Sequence, residues 1–226
     1  MVILSIETST KVCSAALSDG TTIYKQFIHR ESANHAVMLP EFIEDLLAYA
    51  REQRLQIDAI ALSGGPGSYT GLRIGTSMAK GLCYGMNIPL IPIDTTLVIA
   101  AAMRDKAPQG ALLCPMIDAR RMEVYTALYN DQLEMIKPIE ARVVEDSQWL
   151  VETGQEVYYA GDGAEKCQEV LHSERLHLIE DIVPEAQYMG NLAERANRVD
   201  RIAYYEPFYL KEFVAAPSHV KGLTTK

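Results

Sequence analysis

The chain has 226 residues, which fits one large domain or two units of about 110 residues each. Hydrophobic residues make up 48% and charged residues 23%, the usual mix of a globular protein, so collagen, low-complexity disorder and coiled coil are excluded. The net charge is −9, from 21 basic and 30 acidic residues. A protein that holds nucleic acid by itself needs a basic face, so we expect no tight binding of RNA by this chain alone.

Three features of the sequence predict a cytoplasmic protein without a membrane segment. No apolar run approaches the roughly 20 residues that a helix needs to span a bilayer. Met1 leads directly into an apolar segment, with no basic stretch and no cleavage site of a signal peptide. The cysteines are scattered without a CxxC pair, so we expect reduced core side chains: Cys13, Cys83, Cys114 and Cys167.

Hydrophobic periodicity predicts the same order of elements twice. The first copy has the order βββαβαβα. Its strands are predicted over 2–6, 12–17, 21–27, 57–62 and 88–93, and its helices over 35–51, 71–84 and 95–103. Because of Pro40, the first helix either starts near Leu39 or kinks at Pro40. The second copy has strands over 112–118, 122–129 and 133–137, a helix over 146–151, a strand over 157–160, a helix over 164–171, a strand over 176–179 and a helix over 185–198. This alternation predicts an α/β fold of mixed sheets covered by helices, in two units, 1–106 and 107–226. The tail from Ala215 to Lys226 has no apolar period, and we expect it to be mobile.

A glycine-rich loop over 63–71 joins a buried strand to a helix. Backbone N–H groups at such a helix start can bind an anion. However, the loop matches neither the GxGxxG nor the GxxxxGK[ST] pattern, and no lysine follows its glycines. We therefore favour a tight turn with close helix packing, with anion binding as the alternative.

Small residues recur every fourth position in the helix that follows, at Gly71, Gly75, Ala79 and Cys83. We call these four residues the small-residue ridge. Glycine inside a helix costs up to about 1 kcal/mol relative to alanine, so the ridge needs a packing reason. It packs either on the protein's own sheet or on a second subunit. For the second case, the candidate partner-binding set adds apolar neighbours: Leu39, Phe42, Ile43, Leu46, Met78 and Leu82.

The sequence offers no familiar metal or nucleophile motif. None of the five histidines forms an i, i+4 pair, and neither HExxH nor GxSxG is present. Two acids, Glu7 and Asp118, end the first strand of each unit, a place where acids often meet a magnesium nucleotide. Together with Gly161, Asp162 and Gly163 they are the candidate nucleotide-binding residues between the two units.

Three blocks of the sequence are distinctive: ILSIETST at 3–10, SGGPGSYTGLRIG at 63–75 and DARRMEVY at 118–125. They resemble the signatures of the TsaB (YeaZ) family of bacterial tRNA threonylcarbamoyladenosine biosynthesis proteins. The resemblance is strong to about residue 125 and faint to about 200, with PFYL at 207–210 as a late match. It implies an actin-like, sugar-kinase-like (ASKHA) fold of two ribonuclease-H-like units, in agreement with the doubled order of elements.

The resemblance also implies a pathway and partners. TsaB-like proteins pair with a TsaD-like transferase, which moves a threonylcarbamoyl group onto the adenosine beside the tRNA anticodon, and a TsaE-like ATPase joins the complex. The transferases carry a metal-binding HxxxH, and here Thr95 and Ile99 stand where those ligands would fall. Neither side chain can replace imidazole as a metal ligand.

The family resemblance therefore implies a non-catalytic scaffold that activates the transferase. We expect no cofactor of its own, with magnesium ATP only at an interface of the complex, and a homodimer is compatible with the isolated chain. The alternative is an ATP-dependent enzyme of the actin or sugar-kinase type, which would bind nucleotide between the units near Glu7 and Asp118.

Overall fold

The computed structural model of the protein describes residues 1–31 and 34–211. The expectation of a mobile tail, residues 215–226, lies outside the described residues. Within the described ranges, no helix is both long and apolar enough to cross a membrane.

Five strands form the first mixed sheet, in the order β3-β2-β1-β4-β5. They are β1 (Val2–Glu7), β2 (Cys13–Asp19), β3 (Thr22–His29), β4 (Ala59–Gly65) and β5 (Leu90–Asp94). The first three strands pair antiparallel, whereas β4 and β5 run parallel to β1. The central strands β1 and β4 are covered on both faces, which explains why their sequences are nearly continuous runs of apolar and small residues.

Two long helices cover one face of this sheet, and a third helix follows directly after β5. The three are α1 (His35–Glu52), α2 (Tyr69–Met86) and α3 (Thr95–Arg104). Helix α1 begins at His35 and includes Pro40, so of the two alternatives the start near Leu39 is wrong and the kink at Pro40 stays a prediction. Helix α1 packs through Leu39 and Leu46 on the same core as strands β1, β2 and β4.

The second sheet repeats the first, in the order β10-β9-β6-β7-β8. Its strands are β6 (Leu112–Asp118), β7 (Glu123–Tyr129), β8 (Met135–Val143), β9 (Val157–Ala160) and β10 (Leu176–Leu178). Strand β6 takes the central place of β1, with antiparallel β7 and β8 on one side and parallel β9 and β10 on the other. This repetition confirms the predicted fold class, two ribonuclease-H-like units of an actin-like, sugar-kinase-like fold.

The helices of the second half are much shorter than predicted. Helix α4 covers Gln148–Val151 and α5 covers Met189–Ala193. The predicted helix over 164–171 is reduced to a 3-10 turn at Glu165–Cys167, and α5 follows another 3-10 turn at Ala186–Tyr188. Segments this short are not stable helices by themselves, so tertiary packing decides their conformation and overrides periodicity. Strand β8 extends to Val143 through Pro138, which an edge strand tolerates because one side of its backbone makes no ladder bonds.

The last α-helix of each half packs on the other half. Residues Ala186, Met189 and Ala193 complete an apolar cluster beneath the first sheet, and the Ala186 N–H donates to Ser14 Oγ at 2.9 Å. Conversely, α3 packs through Ile99 and Met103 onto the second sheet. The division into units at residues 106 and 107 stays a prediction, because apolar packing crosses it in both directions.

Glu185 anchors the C-terminal segment to the first sheet. Its carboxylate is buried and accepts hydrogen bonds from Arg30 at 2.5 Å, Gln26 at 3.1 Å and Gln187 at 2.6 Å.

We predict that Glu185→Ala lowers the free energy of unfolding by about 2 kcal/mol, the usual effect of losing charge-assisted hydrogen bonds. Urea unfolding measures this change. The exposed control Glu180→Ala should change stability by less than about 0.5 kcal/mol, and equal effects of the two changes would contradict the anchoring role.

Candidate functional site

The glycine-rich loop folds against the turn that follows β1. Ser68 caps α2, because its Oγ accepts a hydrogen bond from the Gly71 N–H at 3.3 Å. The backbone N–H of Ser68 donates to Ser9 O at 2.6 Å. A Cβ at Gly67 or Gly71 would overlap the backbone oxygens of Ser9 and Thr8. The glycines therefore permit close approach of two backbones, which confirms the interpretation as a tight turn with close helix packing.

The small-residue ridge continues this contact along α2. All four of its residues, Gly71, Gly75, Ala79 and Cys83, are buried within the chain. A Cβ at Gly75 would overlap Thr8 Oγ1 and lie 3.2 Å from Leu62 Cδ1, so the ridge lies directly on β1 and β4. The expectation that the ridge itself faces a second subunit is corrected accordingly, because the protein's own sheet occupies that face.

The same correction applies to the apolar stripe of α1. Its members are all part of the core that α1 shares with the first sheet: Leu39, Phe42, Ile43 and Leu46. Phe42 stacks on Phe27 of β3, with ring centroids 5.3 Å apart. These side chains stabilise the unit and are not available to a partner in this structure.

Two of the predicted partner-binding residues, Met78 and Leu82, do lie at an accessible edge. Both are half-buried beside the core, on the side of α2 that carries Ile74. Gly81 and Gly85 lie on the same side, and a Cβ at either would meet no described atom within 4 Å.

We call the five residues Ile74, Met78, Gly81, Leu82 and Gly85 the open face of α2. Gly81 and Gly85 were not predicted as part of a surface, although their i, i+4 separation is visible in the sequence.

The candidate nucleotide residues converge where β1 and β6 end. Glu7 is fully buried, and its Oε1 accepts from the Ser9 N–H at 2.6 Å and from Ser9 Oγ at 2.5 Å. Burial raises the pKa of the Glu7 carboxyl, against the opposing effect of the hydroxyl groups of Ser63 and Ser9, and the charge of Asp162 raises it further. Glu7 and Asp162 are therefore close enough to interact electrostatically.

On the β6 side, Asp162 and its two glycines form a turn against the strand end. Asp162 Oδ1 accepts from the Asp118 N–H at 3.0 Å, and the Asp118 carboxylate forms an ion pair with Lys166. A Cβ at Gly161 would overlap Met116 O, and one at Gly163 would lie 2.8 Å from the Ile117 carbonyl carbon. These glycines permit a close contact between backbones, and their role in nucleotide binding stays a prediction.

No metal centre is found among the residues that the structure describes, since no three His, Cys, Asp or Glu side chains cluster there. Thr95 and Ile99 lie at the start of α3 and are fully buried. The Thr95 hydroxyl shares a hydrogen bond of 2.9 Å with Ser63, and Ile99 packs in the core beside the second sheet. Both positions therefore serve packing between elements.

The buried carboxyl of Glu7 predicts a dependence of stability on pH. Because its pKa is raised in the folded protein, the folded state keeps the proton longer than the unfolded state. Stability therefore falls as the pH rises from the usual carboxyl range towards the raised pKa. Glu7→Gln cannot ionise and keeps the acceptor for Ser9, so it should remove this fall and make the protein more stable than wild type at neutral pH. Thermal unfolding across pH measures both effects.

The matched control for this change is Glu44→Gln, an exposed carboxyl on α1. It should leave the pH profile of the wild type unchanged. A Glu7→Gln profile that runs parallel to wild type would show that Glu7 does not carry the effect.

Comparison with known proteins places these features in one family. The family model described as TsaD, tRNA N6-adenosine threonylcarbamoyltransferase, matches residues 26–216. The chain is 31% identical to the tRNA threonylcarbamoyladenosine biosynthesis protein TsaB of Bacillus subtilis, over 97% of this chain and 91% of that protein. It is 37% identical to TsaB of Escherichia coli, over 58% of this chain and 55% of that protein.

Solved structures agree in fold. The chain superimposes on YeaZ from Pseudomonas aeruginosa with a TM-score of 0.76 at 24% identity, covering 92% of this chain and 99% of that one. A second structure, described as an uncharacterized protein with similarity to peptidase YEAZ from the same organism, gives a TM-score of 0.76 at 23% identity. Shared sequence over nearly the whole chain, together with the shared fold, shows that this chain belongs to the TsaB family of tRNA threonylcarbamoyladenosine biosynthesis proteins.

Proposed function

We propose that this chain is a non-catalytic subunit that pairs with a TsaD-type transferase in the cytoplasm and activates it for threonylcarbamoylation of the adenosine beside the tRNA anticodon. The observation that carries the proposal is the open face of α2, an apolar surface with two glycines that nothing in the described structure covers. The names of the relatives supply the pathway.

The positions equivalent to the transferase's metal ligands support a role without catalysis. Thr95 bonds to Ser63, and Ile99 is part of the apolar core. Neither side chain offers a nitrogen ligand, and both are enclosed by packing rather than open to a substrate. A catalytic group for acyl transfer would therefore have to come from the partner.

The open face suits association with another pair of helices. Ile74, Met78 and Leu82 offer half-exposed apolar area, while Gly81 and Gly85 allow a neighbouring helix to approach without meeting a side chain. A related subunit with equivalent helices would pack on this face across a pseudo-two-fold axis, and a second copy would do so across a true one. Homodimer and heterodimer should therefore compete for the same surface, and the TsaE-type ATPase would join the assembled pair.

The proposal is tested by placing a long charged side chain on the open face. Gly81→Arg should weaken association with the TsaD-type subunit by at least about tenfold, because over-packing separates the helices. The monomer should remain folded, since position 81 is exposed. Size-exclusion chromatography with the partner, circular dichroism and an assay of tRNA modification give the three readouts.

Ala79→Arg, two residues earlier, should instead unfold the protein because Ala79 is buried on the sheet.

The control is Gln155→Arg, an exposed position in the second half of the chain, which should keep association and activation unchanged. A folded Gly81→Arg variant that still co-elutes with the transferase would refute the assignment of the surface. Modification of tRNA by this chain without the transferase would refute the non-catalytic role.

One observation favours the alternative of an ATP-dependent enzyme, namely that Glu7, the last residue of β1, and Asp162, just after β9, are close enough for their charges to interact. Calorimetric titration with magnesium ATP decides between the two functions. Tight binding with turnover, lost in the Asp162→Asn variant, would favour the enzyme, whereas the scaffold predicts no turnover by the isolated chain.

A further inference from the structure

A groove of about 570 Å³ runs between α2 and the C-terminal segment over 205–211. It lies on a different side of α2 from the open face, lined by Arg73, Ser77 and Lys80 of the helix. Its volume lies within the range of about 300–1,000 Å³ that small-molecule sites occupy. No element of the function proposed above uses this groove.

The groove concentrates positive charge on a protein whose net charge is −9. Arg73 and Lys80 form no ion pair with any carboxylate of the described residues: Arg73 donates to the Tyr69 hydroxyl at 2.7 Å, and Lys80 donates to Ala203 O at 3.0 Å. Lys211, at one end, is paired with Glu123, and the groove's own lining includes one carboxylate, that of Glu206. Among residues 1–31 and 34–211, two cations at the wall of one groove thus lack a charged partner, which favours an anionic ligand.

The spacing of these cations favours a ligand with more than one negative group. Arg73 and Lys80 are seven residues apart on a helix that rises 1.5 Å per residue, so their backbones are separated by about 10 Å along the axis. A single small anion cannot contact side chains spread along that distance as well as a chain of phosphates can.

Aromatic rings accompany the cations. Tyr69 and Tyr209 are tilted against each other with centroids 5.0 Å apart, and the Arg73 guanidinium lies 5.2 Å from the centre of the Tyr69 ring. Tyr209 remains 36% exposed. Cations along a groove with accessible aromatic faces are the combination by which proteins hold the backbone and bases of single-stranded nucleic acid.

We propose that this groove binds the phosphate groups of a nucleotide chain, with Arg73 and Lys80 neutralising phosphates and Tyr209 contacting a base. The phosphates can come from a single-stranded segment of RNA or from a free nucleoside triphosphate. Arg73 and Lys80 are the two unpaired cations that the described part of the groove offers to displace counterions, so the binding is weak and sensitive to salt, in keeping with the net negative charge.

The test titrates the full chain with a short single-stranded RNA, with ATP and with inorganic phosphate, at low and at physiological salt, following the signals of Tyr69 and Tyr209 by NMR. Arg73→Gln and Lys80→Gln should each weaken binding of the RNA about threefold to tenfold, and each should reduce the slope of log affinity against log salt by about 0.7. Circular dichroism confirms that the variants are folded. The control is Lys106→Gln, whose ammonium group lies away from the groove and donates to Glu180 O.

If the RNA binds and both variants weaken that binding, the proposal is supported and RNA supplies the phosphates. If ATP alone binds and both variants weaken that binding, the proposal is supported and a free nucleotide supplies them. The proposal is overturned if none of the three probes binds at low salt. It is also overturned if Arg73→Gln and Lys80→Gln bind as tightly as wild type. Co-elution of both variants with the TsaD-type subunit tests the pairing separately, so failure of the groove and failure of the proposed function are distinguishable.

Discussion

The contact between α2 and the Thr8–Ser9 turn determines where the rest of the first unit can lie. Thr8 Oγ1 donates to Gly71 O at 2.8 Å, and the Ser68 N–H donates to Ser9 O, so the start of α2 is bonded directly to the end of β1. This approach needs glycine at positions 67, 71 and 75, because a Cβ at any of them would overlap the facing atoms. The glycines of the block over 63–75, one of the three that resemble the family, are therefore explained by a packing constraint.

Once α2 lies this close to the sheet, its other sides become available for different purposes. Ile74, Met78 and Leu82 are placed beside α1 at the edge of the core, while Arg73 and Lys80 are placed along the groove beside the C-terminal segment. One helix thus presents an apolar surface on one side and a cationic wall on another. The fold thus presents a surface suited to a protein partner and one suited to phosphate on different sides of one helix, while the buried ridge lies against the sheet.

The sequence predicts the sheets well, because the central strands are buried on both faces and their apolar runs do not depend on distant residues. It could not decide which way the small-residue ridge faces, since Thr8 and Leu62 reach it only through the tertiary fold. The extent of the helices predicted over 164–171 and 185–198 also could not be predicted from neighbouring residues. The first is reduced to a 3-10 turn. In the second, Gly190 lies against Ser18, which is 172 positions earlier in the chain. Of the candidate site, Met78 and Leu82 were found from periodicity, whereas the groove depends on the path of residues 205–211.

The exchange of helical segments between the halves has a consequence for how the chain folds during synthesis. Strand β1 is made first, yet one face of its sheet is completed only by Ala186, Met189 and Ala193. Most of the chain must therefore leave the ribosome before that face of the first sheet is shielded from water. Until then the nascent sheet presents apolar surface around Ile3 and Ile91, which is the kind of surface that chaperones bind. A chain cut between the halves would keep this exposure permanently, so we expect the two sheets to unfold as one cooperative unit despite their repeated architecture.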